Sequence, residues 1–209
     1  MTADSQKPNR RTVLTGAAIG GTALVGGVAG GVAGAASRAD AWKRERVTFD
    51  VACLGDTWRD VVPRNPASGA DFRLPFLVEG WIYPSGTVLD GFVPTNEGSI
   101  GRWFCQGWLI LDGNRPQPHV SSRQVFVLGQ IVPEDLFPTN NLVTAGIEGT
   151  DSMEQSATRA VIGGTGDYLA ASGQVTQWFT GTNTTILDDG TGNAALNFRM
   201  DFDLLLPNI

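Results

Sequence analysis

The sequence predicts an all-β protein, expected as an eight-stranded antiparallel β-barrel preceded by a signal segment, and three observations carry the all-β class. Leu196, Phe198, Met200, Phe202 and Leu204 alternate with Asn197, Arg199, Asp201 and Asp203, a strict period of two that gives a strand one buried and one wet face. Runs of the same character recur along the chain, and no amphipathic helix longer than a couple of turns interrupts them. Turn signals fall between the runs, among them Pro63-Arg64-Asn65-Pro66, Pro84-Ser85-Gly86, Asp112-Gly113-Asn114 and Asp188-Asp189-Gly190.

Taken in order, the chain opens on a leader. Arg10 and Arg11 are followed by Thr12, Val13 and Leu14, the pattern read by the twin-arginine export route. The Gly/Ala/Val tract behind them, 12–36, carries no charge, but its glycines make it a poor helix and a weak membrane anchor. Ala39-Asp40-Ala41 offers an A-x-A cleavage site. Residues 1–41 are therefore expected to be a cleaved or flexible signal peptide and 42–209 a single barrel domain, secreted or held at the cell envelope. Gly26/Gly30 and Gly27/Gly31 also fit the small-xxx-small spacing of packed membrane helices, so an uncleaved anchor is the alternative.

The whole chain has a net charge of −6; removing four basic and two acidic leader residues from 15 and 21 leaves 11 and 19, a net of −8. Lys43 is the one lysine of the mature part, and nucleic acid is excluded as a partner because phosphate neutralisation needs clustered cations. Cys53 and Cys105 are the two cysteines; in an exported protein they either pair or stay apart as small buried residues, and spacing does not choose. With His119 as the single histidine, inside a Pro-rich stretch, a metal site of the common N/S type is not expected, nor any cofactor.

The remaining elements are strands expected at 47–54, 72–83, 101–111, 124–130, 142–148, 157–162, 173–179 and the final run. Short connections favour antiparallel neighbours. Eight such strands close into a barrel that is either packed or holds one small ligand, and an open two-sheet sandwich fits the same pattern.

The segment Gly163-Gly164-Thr165-Gly166-Asp167-Tyr168, with Gly173 opening the next strand, reads locally as a sharp reversal covered by Tyr168. A nucleotide-binding reading of these glycines fails, because the following residues alternate like a strand and too little chain remains for a Rossmann unit. As a pattern, GGTG followed by an acidic residue, an aromatic and a later small-x-Gly resembles the signature of the dirigent and allene oxide cyclase barrel superfamily. Glu79-Gly80-Trp81-Ile82-Tyr83-Pro84-Ser85-Gly86 and Gly146-Ile147-Glu148-Gly149 are similar to segments of that superfamily too. The resemblance implies a dry barrel that restricts the conformers of a reactive molecule, as cyclase, isomerase or stereocontrol protein, with little demand for acid or base groups. It implies a proton-transfer role for Asp167 and, more loosely, a ligand contact at Asp56; the motif's arginine five positions after Asp167 is replaced here by Ser172. It also implies a trimer or other homo-oligomer.

Strand position supplies the other candidates. Glu79, Arg102, Gln106 and Arg123 stand in largely apolar strands, where a polar group faces water, pairs or lines a cavity, and Glu79 joins Asp167 as a catalytic candidate. Trp81, Tyr83 and Trp103, with Tyr168 at the turn, are candidates for an aromatic pocket wall, a plain core or a subunit interface. The expected function is binding of a small hydrophobic or phenolic compound inside the barrel. A non-catalytic lipocalin-like carrier and a fully packed interaction barrel are the alternatives, and an interior of about 300 Å³ or more separates a ligand barrel from a packed one.

Overall fold

The computed structural model describes residues 41–60, 73–110, 119–129, 139–149 and 156–208. Arg10, Arg11 and the rest of the leader up to residue 40 lie outside the described residues, as do the turns at 63–66 and 112–114.

The chain forms β1 (Trp42–Asp60), β2 (Arg73–Pro84), β3 (Gly101–Ile110), β4 (His119–Leu128), β5 (Asn140–Gly149), β6 (Ala157–Thr165), β7 (Ser172–Ile186) and β8 (Ala194–Pro207). Each pairs antiparallel with the next, and β8 returns to β1 over a ladder from Trp42↔Pro207 to Ala52↔Asn197. The sheet is thus a closed barrel, not a sandwich. Closure leaves no edge strand with unpaired backbone groups.

The period-two reading holds along β8, where Met200, Phe202, Leu204 and Leu206 are buried. β1 and β7 run furthest beyond their expected bounds of 47–54 and 173–179, and β4 starts at His119 instead of 124, which puts that histidine on a strand. Its inward row contains Ser122 and Gln124 ahead of Phe126, so polar residues on the core face mask the apolar alternation.

One end of the interior is a solid plug. The rings of Phe49, Phe126 and Phe202 meet with centroids 5.1–5.4 Å apart. Val47, Leu142 and Leu204 fill the space around them. The GGTG segment closes this end from outside. Gly166 takes a left-handed φ of +62°, and a Cβ on Gly164 would stand 2.4 Å from the Tyr168 carbonyl oxygen, so both positions demand glycine. Gly163 lies at a register shift in the β5–β6 pairing, and Gly173, φ +130°, packs its backbone against Asp203.

Candidate functional site

The other end of the barrel is hollow. A cavity of about 220 Å³ lies among the strand halves farthest from the aromatic plug. Its wall is mostly apolar: Phe76 and Val78 of β2, Trp103 and Leu109 of β3, Phe179 and Leu187 from β7 and just beyond it, and Leu196 and Phe198 of β8. Trp58 stacks on Phe76 with ring centroids 4.7 Å apart. The volume falls short of the 300 Å³ set as the mark of a ligand barrel, yet exceeds the roughly 150 Å³ that holds a benzene-sized guest in an apolar cavity. The interior is therefore neither packed throughout nor large.

A polar group of side chains occupies the cavity's inner wall. Gln124, Glu148 and Gln177 line it, and Arg159, wholly buried, sits behind them. Arg159 Nη1 lies 2.9 Å from Glu148 Oε2, and its Nη2 donates to Gln177 Oε1. Gln177 Nε2 donates to Glu148 Oε2 at 2.8 Å, Ser122 Oγ donates to Glu148 Oε1 at 3.1 Å, and Gln124 Nε2 donates to Gln177 Oε1 at 3.2 Å. Isolated, either charge would be costly at this depth; paired and hydrogen-bonded, they compensate each other. Local sequence makes the room. A Cβ on Gly146 would stand 2.5 Å from Arg159 Cγ, so the glycine on β5 creates the slot for the arginine of the neighbouring strand. Gln124 Oε1 has no hydrogen-bond partner, nor does Trp103 Nε1.

Cys53 and Cys105 also line the cavity, both as free thiols. Burial pushes the Cys105 thiol up to about 12, with the Glu148 charge adding to the effect. Burial likewise holds Cys53 well above its ordinary value.

Of the catalytic and ligand-binding candidates named from the sequence, the structure places Trp103 in the cavity wall and the others elsewhere. Glu79 faces outward, where it accepts from Arg102, whose guanidinium lies 4.3 Å from the Trp81 ring centroid. Gln106 and Arg123 are cross-strand neighbours on the exposed face. Tyr83 is buried beneath the β2–β3 connection, edge-on to Phe92 and bonded through its hydroxyl to the backbone of Thr95. Asp56 is exposed at the irregularity in β1. Asp167 sits in a short 3-10 turn (Gly166–Tyr168) beyond the plugged end, where Asn140 Nδ2 donates to its carboxylate at 2.9 Å and its own N–H donates to Asn140 Oδ1 at 3.0 Å. Tyr168 is buried at that same end, its phenol pushed up to about 12 by burial. The polar group around Glu148 was missed by sequence reasoning. A signal was present: Ser122, Gln124, Arg159 and Gln177 all fall on inward rows, where an apolar residue is the default.

No family model and no curated protein matches the sequence. The fold does have relatives among solved structures. One pterocarpan synthase dirigent protein superposes with a TM-score of 0.54 at 13% identity, over 79% of this chain and 86% of that one. A second gives 0.53 at 12% identity, over 78% and 96%. At such identity the likeness is one of fold: the chain has a closed β-barrel fold like that of these dirigent proteins.

Proposed function

We propose that this protein is an exported small-molecule barrel that binds a compact hydrophobic or phenolic compound in the hollow end of its interior and controls how that compound cyclises, isomerises or couples. The cavity carries the reading: an apolar cup of about 220 Å³ with a few convergent polar groups on one wall has the character of a ligand site. A rigid wall of this kind acts by limiting the guest's conformers, which requires neither a cofactor nor a metal. The dirigent-like fold supports the same direction by analogy. Export would be directed by Arg10 and Arg11. Exposed Trp108 and Ile147, both in register with Ser121 on the outer face, favour a homo-oligomer, which light scattering of the purified chain measures.

A carrier reading has one observation in its favour. Both oxygens of Glu148 are already engaged by protein donors, which suits holding a ligand more than moving a proton. Turnover separates the two, since a carrier returns its ligand unchanged.

The test is cavity filling. Ala157→Trp places an indole into the cup, where Ala157 is part of the wall. Compact aromatic compounds, titrated by tryptophan fluorescence or found by native mass spectrometry, should bind the unmodified protein and lose binding in the variant while its melting temperature stays within a few degrees. Equal binding by both would refute the cup as the site.

A further inference from the structure

Two buried atoms of the cup's wall have no partner, the donor Trp103 Nε1 among its aromatic residues and the acceptor Gln124 Oε1 in its polar group. The carboxylate of Glu148 accepts hydrogen bonds from Ser122 and Gln177 and faces Arg159 Nη1 as an ion pair at 2.9 Å, so three of its about four lone-pair sites are occupied. Gln177 Oε1 takes two, from Arg159 and Gln124, which fills it. Among the three polar side chains lining the cavity, the one polar atom with no partner is Gln124 Oε1, an acceptor on a residue that is 1% exposed. Leaving such an atom unpaired is unfavourable, so it marks the place where a guest would complete the network.

We infer that Gln124 Oε1, with the remaining lone pair of Glu148, forms an acceptor subsite that selects a compact, neutral guest presenting an O–H or N–H donor, and that the same wall rejects carboxylates. The inference rests on the cup being the ligand site. A guest hydroxyl placed there donates to Gln124 and meets no competing protein donor on that atom. An anionic guest would stand beside Glu148, whose charge is balanced by Arg159 and by no second cation among the described cavity-lining residues. An ether of the same shape would leave Gln124 Oε1 unpaired and displace any water that served it.

Three naphthalenes of similar size decide the matter: 2-naphthalenemethanol, its methyl ether, and 2-naphthoate, each titrated calorimetrically against the intact protein. The alcohol is expected to bind at least about tenfold tighter than the other two, a ratio worth about 1.4 kcal/mol. Gln124→Leu should bring the alcohol and the ether to equal affinity. If the ether or the naphthoate binds as well as the alcohol, the acceptor subsite is refuted while the cup remains a ligand site. If none of the three binds, the cup itself is refuted. The ranking on the unmodified protein stands even where Gln124→Leu fails to fold.

Discussion

Arg159 and Glu148 meet inside the barrel as an ion pair 2.9 Å apart, with the arginine completely shielded from solvent and the carboxylate at the cavity wall. A cation at that depth is tolerated because Glu148 and Gln177 receive it. The rest of the site follows from that arrangement.

Removing one member should cost more than removing both. Arg159→Leu strands Glu148 in the apolar interior and is expected to destabilise the protein by about 3–5 kcal/mol, the usual size for breaking a buried pair. Arg159→Leu combined with Glu148→Gln should recover part of that loss. Urea unfolding of the single and double variants measures it; a double variant less stable than Arg159→Leu would contradict the pairing.

Gly146→Ala tests the slot that admits the arginine. Its new Cβ would stand 2.5 Å from Arg159 Cγ and 3.2 Å from the Arg159 Cα, so the strands must part or the side chain must move. A loss of about 1–3 kcal/mol is expected, as for other overpacked interiors. A denaturation midpoint equal to that of the parent would show that the slot is looser than described.

The buried thiols and phenol impose a pH dependence. Cys105 and Tyr168 both titrate near 12 in the folded chain, raised from ordinary values of 9 and 10 by burial. Between those values and about 12 the unfolded chain has lost these protons while the folded chain keeps them, so stability falls as pH rises through that window. Urea midpoints at pH 8 and pH 10.5 should show the decline, and Cys105→Ala should lessen it. For the same reason both thiols should react slowly with alkylating reagents at pH 8 in the folded protein and quickly once it is unfolded.

Asp167→Asn should leave ligand binding in the cup unchanged, because Asp167 lies beyond the plugged end and its contacts are with Asn140. The stability change should remain within about 1 kcal/mol, as for other surface positions. Gly166→Ala, two-sided in its effect, should be worse: it forces a side chain into φ +62° and sets a Cβ 2.0 Å from Asn140 Oδ1. Differential scanning calorimetry ranks the two.

Much of the fold was legible in the chain because strand formation leaves a local record. The alternation from Leu196 to Leu204 and the turn at Gly163 to Tyr168 announce a strand and a reversal without reference to anything distant. Glu79, Arg102 and Trp81 were readable as a polar and aromatic group, yet a period of two does not say which face is inside. Register against β1 and β3 puts Phe76 and Val78 inward and leaves Glu79 on the outer surface.

By itself, then, the sequence determined the all-β class, the eight strands and the glycine turn, since each depends on residues within about ten positions of one another. Only the tertiary structure decided that the sheet closes, that one end is plugged by Phe49, Phe126 and Phe202, and that Gln124, Glu148, Arg159 and Gln177 gather from four strands at one wall. Closure fixes which rows share the interior and at what height, and that relation joins residues as far apart as Gln124 and Gln177.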